Sequence, residues 1–385
     1  MKIPLSAPDV QEEEIEMVAA VLRTRQLSLG PKLEEFEQAI AGYIGIENAI
    51  GVSSGTAGLH LCVRALGIGA GDEVIVPSFA FIAVANVVRY ENAVPVFVDI
   101  EAETLNLDAD RIEAAITPRT KAILVVHTFG CPAEVAKFLE IARRHHLYVI
   151  EDACEAIGAE YEGRKVGSLG DAGVFGFYPN KQITTGEGGA VVTGNARLAS
   201  TVRALRNQGR SNTEDWYQHA EVGHNYRLSE INCALGIGQL GRIEEILSRR
   251  EEIARRYNDR LKGNENLRLP VFSLPNRRIS WFVYVVRLSG GLSKVHRDWI
   301  VQEMNRRGIG CGRYFAPIHL QPAYRLASVP KTDLRITEAE ASRCLALPFF
   351  NLLEDGQIDE VCENLCELIQ LAGSLALEDD SKAIS

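Results

Sequence analysis

Between residues 49 and 193 the chain keeps returning to one pattern, a short β-rich run with helical stretches between several of the repeats. The runs are AIGVSS, EVIVP, VPVFVDI, AILVVH, LYVIED, AGVFGF and GAVVTG. This alternation predicts a mostly parallel sheet covered by helices on both faces. In such a sheet ligands collect at the carboxyl ends of the strands. The residues that close these runs are therefore the first place to look for chemistry.

The chain has 385 residues, more than the roughly 250–300 at which one hydrophobic core stops growing, so two lobes are expected. A long helical pattern, residues 228–262, has apolar residues three and four apart and a heavily charged second half, and reads as the strut between lobes. A strand-like run (279–288), a helix around VHRDWIVQEMNRRG, a GCGRYF strand and two helical stretches ending near 372 follow. These suffice for a small α+β lobe. The expected division is an N-terminal arm (1–14), a large domain (15–250), a small C-terminal domain (251–372) and a polar tail (373–385), with no structure assigned to LEDDSKAIS.

Composition removes several function classes. A formal charge of -10, with Lys and Arg scattered among acids, leaves no basic stripe for nucleic acid. The start, MKIPLSAPDVQEEEIEMV, has no apolar signal-peptide core, and no run of about 18 apolar residues offers a membrane span. A cytoplasmic protein is expected. The 8 cysteines form no CxxC pair, so neither metal nor disulfides are expected; Cys362 and Cys366 lie one helical turn apart on a helix face.

Three places could carry chemistry, and each has a plainer reading. Ser53-Ser54-Gly55-Thr56 closes a strand and opens a helix. Free N–H groups and the helix dipole suit a phosphate there, while an ordinary N-cap explains the same residues. Asp152 ends a strongly apolar strand, where a carboxylate can meet a ligand cation or cap a helix; Glu151 beside it should point to the opposite face. Lys181 sits between the turn Gly176-Phe177-Tyr178-Pro179-Asn180 and a glycine-rich stretch. A desolvated lysine can form an imine with an aldehyde, although most lysines are solvated charges. Taken together, a phosphate cradle, a carboxylate and an imine-forming lysine are the three grips on pyridoxal phosphate.

The stretch EDACEAIGAEYEGRKVGSLGDAGVFGFYPNKQITTGEGG, with IPLSAPDV, GPKLEEFE and RYFAPIHLQPAY elsewhere, resembles the DegT/DnrJ/EryC1/StrS sugar aminotransferase family. The resemblance implies a fold-type I pyridoxal-phosphate enzyme, with a seven-stranded, mostly parallel sheet in the large domain and a smaller α+β C-terminal domain. It implies Lys181 as the Schiff-base lysine and proton carrier, and Asp152 as partner of the pyridinium nitrogen. It further implies Ser54, Gly55 and Thr56 at the phosphate and Phe81 as the ring over the cofactor, where the residue alone would read as core. Asn225 is implied to reach the cofactor of a neighbouring subunit in a homodimer with shared sites.

His127 and His319 match positions that face the cleft, although each alone would pass for a structural histidine. Arg227, Tyr314 and His319 are the implied substrate contacts, and Arg313 is read as surface charge. The implied reaction moves an amino group, with L-glutamate as donor, to a keto group of a nucleotide-linked sugar. Two departures stand out. Gly176 replaces a serine that in many members would bind the cofactor phosphate, and Glu155, implied to contact the cofactor near its ring oxygen, stands where many relatives have glutamine or histidine. Rival readings are a dehydratase of the same fold, which has histidine in place of Lys181, and a non-catalytic sensor that keeps the fold. A dinucleotide oxidoreductase is disfavoured because no GxGxxG follows the first strand.

Overall fold

The computed structural model describes residues 1–210, 218–325 and 332–374. All seven β-rich runs are strands of one sheet: β1 (Asn48–Val52), β2 (Glu73–Pro77), β3 (Val94–Val98), β4 (Thr120–Val126), β5 (Tyr148–Asp152), β6 (Ala172–Gly176) and β7 (Gly189–Thr193). Their order is β1-β7-β6-β5-β4-β2-β3. Only β7 runs against its neighbours, β6 and β1; the other pairings are parallel.

The period-2 geometry of a strand divides each run between two cores. Val74 and Val76 of β2 join Leu59 and Val63 of α3 (Gly55–Ala65) and Val84 and Val88 of α4 (Ala83–Tyr90) on one face. Ile75 turns to the other face, with Phe138 and Ile141 of α5 (Val135–His145). On that second face Phe175, Ala190 and Val192 pack on Phe36 and Ile40 of α2 (Pro31–Ile44), which follows α1 (Glu12–Leu22). With both faces covered, the functional surface of the sheet is its edge at the strand ends.

A second sheet, β8 (Leu267–Arg268), β9 (Tyr284–Leu288) and β10 (Cys344–Leu347), is antiparallel with the order β8-β9-β10. Its core gathers Tyr284, Val286 and Leu345 with Ile300 and Met304 of the helix Lys294–Arg306 and Leu365 and Leu368 of the helix Asp355–Ser374. Ile3, expected in an arm, is fully buried in this core, and its carbonyl accepts from Gly310 N.

The structure differs from the sequence reading in two elements. The 228–262 pattern is two helices, Glu230–Gly241 and Ile243–Leu261, parted at Arg242. Arg242 has left helical geometry (φ -108, ψ 11), and its guanidinium is held by Asp9 and Glu14 at 3.1 Å each. GCGRYF is not a strand. Gly312 makes one isolated bridge to Ala346, after which the chain turns into the cleft, where Tyr314 and Phe315 stack with Phe129. The segment LEDDSKAIS lies outside the described residues.

Candidate active site

At the carboxyl ends of the central strands lies a cavity of about 690 Å³. Ser54, Gly55 and Thr56 form one wall. Ser54 caps α3, its Oγ accepting from Ala57 N at 3.0 Å, which fixes the turn and leaves the first N–H groups of the helix at the cavity. Gly55 is required by close approach: a Cβ there would lie 2.6 Å from Cys154 Sγ and 3.3 Å from Gly176 Cα. The phosphate-type turn, the end of β6 and Cys154 are thus packed backbone to side chain.

Asp152 ends β5 at the cavity floor, almost buried, and accepts from Cys154 N at 3.0 Å. Glu151 points the opposite way, as the strand period requires. It accepts from the N–H groups of Gly167, Leu169 and Gly170 at 2.7–2.8 Å and pairs with His127 Nε2 at 3.0 Å. Burial alone would raise the Glu151 pKa, but His127 and the backbone donors hold it below the ordinary glutamate range. His127 Nδ1 accepts from Ala133 N at 3.1 Å, so its proton is on Nε2 and it donates to Glu151. His127 is fully buried beneath the sheet edge and does not face the cleft as expected. Its ring is consumed in orienting Glu151.

Lys181 reaches the cavity from the irregular segment after β6. Its N–H donates to Tyr178 O at 2.9 Å, and Thr185 N to Phe177 O at 3.0 Å folds the glycine-rich stretch back on the turn. The Nζ lies 3.6 Å from Glu155 Oε1 and 4.0 Å from the centre of the Phe282 ring, with the side chain only 15% exposed. Glu155 Oε2 accepts from Phe129 N at 3.0 Å. Burial pushes the Glu155 pKa up, against the opposing pull of Lys181. Gln182 Nε2 binds Glu155 O at 2.6 Å and Ser280 O at 3.1 Å, which ties the lysine segment to both neighbours.

Phe282 lacked any sequence signal. Its position is set by Arg250, which is buried and donates to Trp281 O (2.7 Å), Phe282 O (2.8 Å) and Asn351 Oδ1 (2.8 Å). Burial lowers the Arg250 pKa to about 9. Arg313, read as surface charge, lines the cavity. Its neighbour Tyr314 lines it too, with burial raising the phenol's pKa. Phe81 lines the cavity too and presents a ring that is 61% exposed, with no aromatic ring stacked on it among the described residues.

The remaining sequence candidates lie outside this cavity. Asn225 is exposed and bridges Asn207, and Arg227 donates to Asn207 Oδ1 at 3.0 Å. His319 is held between Ser78 Oγ at 2.7 Å and Glu338 Oε1 at 3.1 Å. Both of its ring nitrogens are therefore engaged, which accounts for the residue without a substrate.

The lining suits pyridoxal phosphate on its own terms. It combines a helix N-terminus with a glycine that admits close approach, a carboxylate at a strand end, an unstacked aromatic ring and a sequestered primary amine, all around one volume.

The sequence matches the profile of the DegT/DnrJ/EryC1/StrS aminotransferase family over residues 8–366. The chain belongs to this family. It is 43% identical to the GDP-perosamine synthase of Caulobacter vibrioides over 372 residues, 96% of this chain and 98% of the relative. Among solved structures it resembles DesV of S. venezuelae, solved in complex with a ketimine intermediate, with a TM-score of 0.88, 37% identity and coverage of 96% and 99%. A Streptococcus pneumoniae protein solved in its PMP form superposes with a TM-score of 0.93 at 28% identity, covering 98% of this chain and all of that one. The architecture of β1–β7 with the second sheet is that of the fold-type I aminotransferases.

Proposed function

We propose that this family member transfers an amino group, with L-glutamate as donor, to a keto group on a nucleotide-linked sugar, through pyridoxal phosphate held by Lys181. The observation that carries the reading is the convergence of Lys181 Nζ, the Asp152 carboxylate and the Ser54-Gly55-Thr56 turn on one cavity. The 43% identical GDP-perosamine synthase supports a sugar nucleotide as acceptor. A cytoplasmic site of action accords with such a substrate, and no described helix is long and apolar enough to cross a membrane.

Bound in this cavity, pyridoxal phosphate supplies an aldehyde for Lys181 and a ring that accepts electrons when protonated at nitrogen. Asp152 holds a proton at that nitrogen. Its benefit grows as charge develops, so it acts on rate more than on binding. The N–H groups at the start of α3 hold the phosphate, and Phe81 covers a ring face. Lys181 Nζ would hold the cofactor's aldehyde and would supply the base that takes the proton from the donor's α-carbon; its position against Phe282 keeps bulk water from it. Glu155 lies within reach to share that proton. Asn225 and Arg227 serve the site of a second subunit in a homodimer, in keeping with their places outside their own chain's cavity. Tyr314 contacts substrate from the small lobe, whereas His319, with Ser78 and Glu338 on its two ring nitrogens, positions that segment.

The test is direct. Wild-type protein mixed with pyridoxal phosphate should turn yellow and lose the imine absorbance on adding L-glutamate, and one member of a panel of keto-sugar nucleotides should restore it. Lys181→Ala should show neither signal. Imine absorbance in Lys181→Ala equal to wild type would refute the assignment.

A further inference from the structure

Arg313 and Lys181 are the two cationic side chains among the described residues that line the cavity, against three carboxylates, Asp152, Glu155 and Glu187. Lys181 is committed to the chemistry. A nucleotide-linked sugar brings a diphosphate into this predominantly acidic cavity, and that charge needs a partner.

We propose that Arg313 is the residue of this chain that holds the diphosphate of the sugar nucleotide; the inference rests on the acceptor class proposed above. Three observations support it. First, the side chain is aimed but not saturated. Its Nε lies 3.0 Å from Asp298 Oδ1, and its two Nη atoms have no partner among the described residues. Asp298 is itself fixed by Arg297 Nε at 2.7 Å and Lys294 Nζ at 3.1 Å, so it can orient Arg313 without shielding the Nη fork. A guanidinium held by Nε alone offers the two parallel N–H groups that match a phosphate.

Second, depth separates the anions the cavity must accommodate. Lys181 is 15% exposed and Arg313 is 54% exposed, so the lysine is deep and the arginine stands at the mouth. The donor's α-carboxylate is bonded to the reacting carbon and must lie deep. The diphosphate lies on the far side of the sugar from the deep end and points to the mouth.

Third, Arg313 adjoins Tyr314, which also lines the cavity, and both belong to the segment that turns inward after Gly312. The small lobe would thus read the remote, non-reacting part of the substrate, where binding energy can be used to position the keto group.

The experiment titrates GDP, UDP and dTDP, and the corresponding nucleosides, into holoenzyme of wild type, Arg313→Gln, Arg313→Lys and Asp298→Asn. It also measures the L-glutamate half-reaction in each. Arg313→Gln should weaken the diphosphate that wild type binds best by roughly 10- to 100-fold, the size of a lost charged hydrogen-bond pair. The nucleoside affinity and the glutamate half-reaction should be unchanged. Arg313→Lys should recover part of the loss, since charge persists without the fork. Asp298→Asn should show a smaller loss of the same kind.

Unchanged diphosphate affinity in Arg313→Gln overturns the proposal. A raised KM for glutamate with diphosphate binding intact overturns it in favour of a donor-carboxylate role, and a parallel loss of both with a lowered Tm makes Arg313 merely structural. If wild type transaminates with glutamate but binds none of the three diphosphates, the sugar-nucleotide reading itself fails, and the role of Arg313 with it.

Discussion

Glu155 and Gly176 are the two residues that the sequence reading singles out as departures from the family pattern, and the structure gives each a physical setting. Burial raises the Glu155 pKa above the ordinary glutamate value, against the opposing pull of Lys181. The sign follows: above an unfolded carboxyl value of about 4.3 the ionised form costs stability, increasingly as pH rises through the folded value. Apoprotein carrying Glu155→Gln should therefore have a Tm that changes less with pH above that point than wild type does. A Cβ on Gly176 would lie 3.2 Å from Cys154 Sγ and 3.3 Å from Cys154 Cβ. Gly176→Ser alone should lower thermal stability, and Cys154→Ala in the same chain should recover it. Equal Tm values for the single and double variants would show that Cys154 is not the obstacle. Sequence reading found Gly176 as a departure but could not see Cys154 in the space, since the two meet only through the fold. Lys181, Asp152 and Gly55 could be picked out because a strand end, a helix start and a glycine-rich turn are local patterns, but each alone had a plainer reading, and it was their combination and the family resemblance that set them apart. Phe282 could not be picked out, being brought under Lys181 by Arg250 from a distant helix.

Among the elements, the seven strands could be read directly, because their buried faces make short apolar runs with turn residues between them. Helix ends were harder. The 228–262 pattern hides its break because Arg242 is a good helix former, and what removes it from the helix is a pair of carboxylates from the N-terminal segment. At the end of β5 the strand period separates two acids by task. Asp152 faces the cavity, while Glu151 fastens the 167–170 loop. Glu151→Gln, which sets an amide among backbone donors, should cost roughly 3 kcal/mol, measured by denaturant unfolding. Its depressed pKa contributes stability that is complete above about pH 4.3 and is lost as pH falls through the lower folded value, so the variant should also lose that acid-side dependence. A variant as stable as wild type at pH 7 would contradict the role given to this acid.

For the whole molecule, we propose a division into lobes near residue 250, inside the helix Ile243–Leu261. Ile246 and Leu247 belong to the core beside the large sheet, and Ile253, Tyr257 and Leu261 to the core of the second sheet. The proposed homodimer has a specific check. Lys181→Ala and Asn225→Ala chains, each inactive or nearly so, should regain activity when mixed dimers form, because one site then receives both intact residues; mixtures no more active than their components would place Asn225 in its own chain's chemistry or in none. Arg250 lies at the division itself, and its three hydrogen bonds, to Trp281, Phe282 and Asn351, fasten the helix to the second lobe. A rotation of that lobe would carry with it the Phe282 ring, whose centre lies 4.0 Å from Lys181 Nζ. The cover over the amine would then follow the angle between the lobes, so an event at the rim of the cleft would reach Lys181 without any relay of charge.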